Sequence, residues 1–296
     1  VSPTTASNPR AATISKDQKQ TVHYLTGNIT SQLNNKTRLR VAYNNSYVKT
    51  EGLLPALSGL DPAGTNYGQT SEFPNYAASG NVDLVASSKL LFTVRGGYYS
   101  SDQHDSNVTE APLYRWTNTN NVNYLDVPAS LQRGTGFTSI PTNLKVTRDQ
   151  QTRAYYQADS TSYIKAGGEH QLKFGVQVDR VGNNVLSGES RNRVSIFWNA
   201  ALAGARGTYG YYSVRSNGVA PRQGFVTEGD INTTNIGLFA QDAWTINNRL
   251  TINLGVRTER ERVPAYASGT DIPRYGVEFN FSDKLAPRAG FAYDIK

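Results

Sequence analysis

The stretch GLFAQDAWTINNRLTINLGVRTERE, Gly237 to Glu261, decides the fold. It reads as two alternating β-strands joined by the polar turn Asn247-Asn248-Arg249. In its second strand Leu250, Ile252, Leu254 and Val256 share one face, while Thr251, Asn253, Gly255, Arg257 and Glu259 share the other. The apolar face must meet either the core of a soluble β-sandwich or lipid, and everything else in the sequence bears on that choice.

The 296 residues suffice for one large all-β unit. They contain no Cys and no Met, so no disulfide, thiolate metal site or Cys nucleophile can be built. With no initiating Met and no signal sequence, the expectation is a processed or excised piece. No apolar window is long enough for a membrane helix. The formal charge of +7 suits anionic partners such as acidic head groups and lipopolysaccharide. The basic residues are scattered singly, which argues against nucleic acid. Abundant Tyr, Gly, Asn and Thr favour strands and turns. The negative mean hydropathy, −0.52, is compatible with a membrane barrel, whose strands are apolar on one face only.

Strand signals come in pairs. Thr21–Gln32 and Thr37–Val48, Asn81–Ala86 and Lys89–Ser100, Gln151–Ile164 and His170–Val181, and Asn235–Thr245 and Arg249–Arg260 each flank a short Asn-, Ser- or Gly-containing turn. A last strand covers Ala286–Ile295, and Arg193–Asn199 with Thr208–Val214 forms a further candidate hairpin. Val1–Lys19 reads as a loop. Between pairs the connections are several times longer than ordinary loops of about 4–6 residues. A sandwich has no reason to alternate short and long connections, whereas an outer-membrane barrel does, with short periplasmic turns and long extracellular loops.

The faces agree with a barrel, and equally with the solvated outer face of a sandwich, so alternation alone leaves both readings open. Leu39, Val41 and Tyr43 oppose Arg38, Arg40 and Asn44; Leu90, Phe92 and Val94 oppose Thr93 and Arg95. Leu172, Phe174, Val176 and Val178 oppose Lys173, Gln177 and Asp179; Ala289, Phe291, Tyr293 and Ile295 oppose Arg288 and Asp294. Tyr47, Tyr98, Tyr99, Tyr155 and Tyr156 stand at strand ends next to long loops, and Tyr163 and Trp244 next to short turns. Amphipathic rings at those positions suit two interfacial belts, for which Tyr47, Tyr98, Tyr155, Tyr163 and Trp244 are the candidates.

Asn235–Arg260 and Phe281–Lys296 resemble the barrel of TonB-dependent outer-membrane receptors, particularly the Oar-like group. The resemblance rests on an aromatic-x-x-Asp-x-Trp strand end (Phe239, Gln241, Asp242, Trp244), a following strand with Ile252, Leu254, Gly255 and Arg257, and the segments Lys284–Arg288 and Phe291–Asp294. It implies an antiparallel transmembrane barrel of about 22 strands, an N-terminal plug with a TonB-contacting box, and a regulatory-like domain ahead of it. Residues 1–296 then correspond to a partial barrel without the plug and regulatory-like domain, in the bacterial outer membrane.

No motif points to an enzyme. H-E-x-x-H, G-x-S-x-G and the phosphate-cradling glycine loop are absent from the sequence. His23, His104 and His170 are widely spaced and read as surface residues, and Ser101–Asp105 reads as a solvated loop, with Ca²⁺ contact as its rival. No cofactor or metal is expected. The chemistry left is a row of charges, Arg38, Arg40, Arg95, Lys173, Arg257, Glu259 and Arg288, with Asp83, Asp159 and Asp179 among them. In a barrel these line the lumen and hold the plug. The resulting expectation is a receptor that binds and imports a large nutrient (siderophore, glycan or peptide), coupled to TonB through the missing N-terminal parts. The alternatives are an adhesive surface protein and a soluble all-β binding module.

Overall fold

The computed structural model describes residues 16–54, 66–117, 136–198, 210–215, 226–265 and 275–295. Its strands are β1 Lys19–Asn34, β2 Thr37–Glu51, β3 Thr70–Ser87, β4 Leu90–Ser101, β5 His104–Ser106, β6 Leu113–Trp116, β7 Leu144–Lys165, β8 Glu169–Glu189, β9 Arg193–Trp198, β10 Gly210–Arg215, β11 Val226–Ile246, β12 Leu250–Pro264, β13 Tyr275–Phe279 and β14 Ala286–Tyr293. One 11-stranded sheet runs β1-β2-β3-β4-β7-β8-β11-β12-β13, with β14 also on β12 and β5 on β3. Every pairing within it is antiparallel.

All four predicted hairpins form, and their turns lie along one end of the sheet. In the opening stretch Asn247 and Asn248 adopt φ of 50° and 55°. Asn tolerates this left-handed region, and two such residues match the twist of the flanking strands. The register carries Trp244 opposite Ile252 and Asp242 opposite Leu254 without a bulge.

The strands run well past the predicted bounds at the loop end. β3 starts at Thr70 rather than Asn81, β7 at Leu144 rather than Gln151, and β11 at Val226 rather than Asn235, while β8 continues to Glu189. There apolar residues fall on both faces among polar ones, Phe73 and Tyr76 in β3 and Val185 and Leu186 in β8, so the alternation fades while the backbone ladder continues. The candidate hairpin of residues 193–214 also needs correction. β9 and β10 pair with each other, but together with β6 they form a separate three-stranded sheet, with β6 parallel to β9. Asn199 and Thr208 lie outside the described residues. The small sheet is tied to the long strands through the loops. Buried Asn143 donates its side-chain amide to the Arg191 carbonyl at 2.8 Å, and the Ser190 hydroxyl donates to the Thr109 carbonyl at 2.8 Å.

The sheet has little behind it. Among the described residues only Tyr67, Leu113, Ile140 and Val185 are buried hydrophobics, and none belongs to the central apolar stripe. Val94 is 54% exposed, Phe174 49% and Leu254 51%. Contiguous register rows such as Leu39–Val82–Val94–Ala158–Val176–Leu238 make this one broad apolar surface. A water-soluble sandwich would bury such a surface against a second sheet.

Candidate functional site

The register sorts the predicted residues by face. Arg40, Asn81, Arg95, Gln157, Gln177, Gly237 and Glu259 form one row across the sheet. Arg38, Asp83, Thr93, Asp159, Gly175, Phe239 and Arg257 form the next. Lys173 and Arg288 follow one row nearer the turns, linked through Gln241 and Gly255. All seven charged candidates therefore share the face opposite the apolar stripe.

Their partners divide them. Asp159, with a side chain only 5% exposed, sits between Arg95 at 3.4 Å and Lys173 at 3.3 Å. Asp83 accepts from the Thr93 hydroxyl and the Asn81 amide, both at 3.0 Å. Arg257 donates to Glu259 at 2.7 Å. Arg38, Arg40 and Arg288 make no ion pair among the described residues. Phe239 is a member of this wall that alternation alone does not flag as such. Its ring lies over Gly175, where an added Cβ would stand 2.3 Å from a ring carbon, and the Lys173 ammonium is 5.8 Å from the ring centroid.

The aromatic candidates split. Tyr47, Tyr98 and Trp244 stand on the apolar face, but Tyr155 and Tyr163 stand on the polar one, opposite Asp179 and Gln171. Each belongs to a strand in which successive residues point to opposite sides, so neither can join an outward belt; Tyr156, 60% exposed, takes the outward place beside Tyr155. Tyr47 is also displaced. Tyr98 is level with Tyr43 through Ala78, and Tyr47 lies about 13 Å further toward the loops, stacked near His23 at 6.2 Å.

Two histidines are engaged rather than free. His170 binds the Asp242 carboxylate at 2.7 Å and the Ala166 carbonyl at 3.1 Å, and stacks on Trp244 at 5.2 Å and 12°. The Trp244 indole in turn donates to the Gly167 carbonyl at 3.2 Å, across the β7–β8 turn. Asp and Trp of the aromatic-x-x-Asp-x-Trp pattern thus hold a neighbouring hairpin. The sequence signal was present: Asp242 and His170 are the polar breaks in otherwise apolar stripes. At the loop end His104 meets Glu72 at 2.8 Å. Hydrogen bonds from Tyr47 and His104 hold the Glu72 carboxyl below its usual range, against the effect of burial. Asp105 is mostly buried and accepts from the Ser71 hydroxyl at 2.5 Å and the Val146 amide at 2.8 Å, which accounts for it as a structural pin. Among the described residues no three His, Cys, Asp or Glu side chains converge as a metal site, and no helix is long and apolar enough to cross a membrane.

The comparisons with known proteins point the same way. A family described as outer membrane beta barrel domain matches residues 1–270. The TonB-dependent transporter Oar of Myxococcus xanthus is 32% identical over 154 residues, covering 49% of this chain and 14% of that protein. In fold, the chain is similar to the outer membrane transporter YddB from Escherichia coli, with a TM-score of 0.52 and 12% identity over 94% of this chain and 30% of that one. It is likewise similar to FpvA of P. aeruginosa, solved with pyoverdines, with a TM-score of 0.51 and 14% identity over 95% of this chain and 34% of that one. The chain therefore spans a minor part of the length of each of these proteins. The antiparallel sheet, its exposed apolar face and the match over residues 1–270 place this chain in the bacterial outer membrane, as a member of the outer membrane beta barrel domain family.

Proposed function

We propose that this chain is a sector of the barrel wall of a TonB-dependent receptor that binds a large nutrient outside the cell and imports it. The observation that carries the reading is the separation of faces at mid-height: rows of charges from Arg40 to Glu259 on one side and, in register on the other, an unbacked apolar stripe whose polar breaks, such as the His170–Asp242 pair, fall toward its ends. The apolar stripe faces lipid and the polar face lines the lumen. Trp244 and Thr234, which is level with Tyr98 through Arg180 and Ala154, are about ten residues apart, the length a tilted strand needs to cross the hydrocarbon core. The belts are then Trp244 at the turn end and Tyr43, Tyr98 and Tyr156 at the loop end, against outer-membrane lipid and lipopolysaccharide.

Edge strands β1 and β14 would expose unpaired backbone groups to lipid, at a cost of several kcal/mol per group. Further strands of the parent protein pair with them and close a barrel of about 22 strands. TonB acts through N-terminal parts of the parent, and the role is transport, not catalysis. Similarity to Oar, and the fold shared with YddB and FpvA, support this reading.

Plug docking belongs to the wall charges. Arg95, Lys173 and Arg257 already have carboxylate partners in Asp159 and Glu259, so Arg38, Arg40 and Arg288 are the ones that reach for plug carboxylates. Replacing these three with Leu in the full-length parent is expected to loosen the plug, raising single-channel conductance in planar bilayers and lowering uptake. Unchanged conductance and uptake would refute the docking role. Unaltered growth on every candidate substrate after deletion of the parent gene would favour adhesion over import.

A further inference from the structure

The polar wall changes character along its height. The charged rows lie toward the short turns, whereas the rows toward the loops carry Ser79, Gly97, Tyr155 and Asp179, then Ala77, Tyr99, Arg153 and Val181. Here β3, β4, β7 and β8 enclose an open hollow of about 650 Å³, within the range of small-molecule sites. Small residues make its floor. The Tyr155 ring lies over Gly97, where an added Cβ would be 2.5 Å from a ring carbon, so any larger residue would displace it.

The hollow has one charged lining side chain, Arg153, and Asp179 binds it through Nε at 3.1 Å and Nη2 at 2.8 Å. Gln177 donates to Asp179 at 2.6 Å and Gln157 to Asp159 at 3.5 Å, which leaves both amide carbonyls as acceptors. The remaining guanidinium N–H groups of Arg153 and the Tyr hydroxyls supply donors. We propose that this hollow is a subsite for a neutral oligosaccharide, a reading that rests on the polar face being lumenal.

Four features select that class. Hydroxyl groups both donate and accept, which matches a surface where fixed acceptors alternate with donors. The C–H faces of pyranose rings pack on aromatic rings, and Tyr99 and Tyr155 supply two. An anionic metal chelate would need cations left unpaired, and the one here is already bound. An extended peptide that binds by strand addition needs a free strand edge. In this hollow the ladders of β4, β7 and β8 are paired on both sides.

The test uses the purified full-length parent in detergent, with any cysteine outside residues 1–296 replaced by serine. Calorimetric titration is made with α-1,4-, β-1,4- and β-1,3-linked glucose hexasaccharides, a ferric tris-catecholate chelate and an uncharged hexapeptide. At least one hexasaccharide is expected to bind, and Tyr99→Ala and Tyr155→Ala to weaken it about tenfold each. Gln157→Leu, which keeps side-chain volume, is expected to weaken it severalfold with the barrel still resistant to unfolding in cold SDS. Separately, Ser79→Cys is expected to react with a hydrophilic maleimide in the folded protein, whereas Val41→Cys in lipid vesicles is not. A labelled Ser79→Cys with no hexasaccharide binding, or binding of the chelate or peptide only, overturns the sugar subsite and leaves the lumenal reading intact. A protected Ser79→Cys overturns both.

Discussion

Asp159 offers the sharpest energetic test of the wall. Its carboxylate is 5% exposed and holds Arg95 and Lys173, whose side chains are 40% and 31% exposed. Asp159→Asn keeps the volume and removes the charge, leaving two cations facing one another. Stripping one partner from a fully buried ion pair costs about 3–5 kcal/mol. Here the separations, 3.4 and 3.3 Å, are longer than the about 2.8 Å of a strong charge-assisted bond. Both cations also keep contact with water, which screens them. These two facts reduce the expected loss to about 2 kcal/mol. Lys173→Met alone leaves Asp159 with Arg95 and costs less, and Asp159→Asn with Lys173→Met relieves the repulsion and recovers about half of the loss. The measurement is urea unfolding of the full-length parent in phospholipid vesicles, followed by Trp fluorescence at low and high salt. Because Arg95 and Lys173 are partly exposed, about 0.5 M salt should shrink the Asp159→Asn effect. A loss under about 0.5 kcal/mol, or a double variant no more stable than the single one, would refute the reasoning.

Gly175→Ala is expected to destabilise by about 1–3 kcal/mol through overpacking, because the new methyl would sit 2.3 Å from the Phe239 ring. Adding Phe239→Ala should restore most of the urea midpoint, and a midpoint unmoved by Gly175→Ala would show that the ring does not lie there. Both His170 ring nitrogens face acceptors, Asp242 and the Ala166 carbonyl, so the clasp requires the imidazolium. The stability gap between the parent and His170→Ala should be widest at low pH and narrow as pH rises through the histidine range; a pH-independent gap would contradict this. Glu72 has its carboxyl range lowered by Tyr47 and His104, so the stability it lends is present above the ordinary value of 4.5 and lost as pH falls below it. Amide exchange in β5 should therefore accelerate in acid, and Glu72→Gln should remove that dependence.

Much of this was legible in one dimension, for a physical reason. Side chains in a strand alternate strictly, so a wall with different solvents on its two sides writes both of them into the chain. Leu250, Ile252, Leu254 and Val256 against Arg257 and Glu259 therefore specify the two faces, and Asn247-Asn248 specifies the turn, before any partner strand is known. Alternation is silent where polar and apolar residues are mixed on both faces, and so it leaves the loop-end extensions of β3, β7, β8 and β11 and the separate β6-β9-β10 sheet unmarked. It is equally silent about which residues of different strands stand level. Only the register put Tyr155 and Tyr163 on the polar face, set Phe239 over Gly175, and joined His170 to Asp242 across seventy-two positions of sequence. It also decided which arginines have a carboxylate partner and which, Arg38, Arg40 and Arg288, make no ion pair among the described residues. A strand's own sequence determines what each face can touch; the neighbouring strands determine what it does touch.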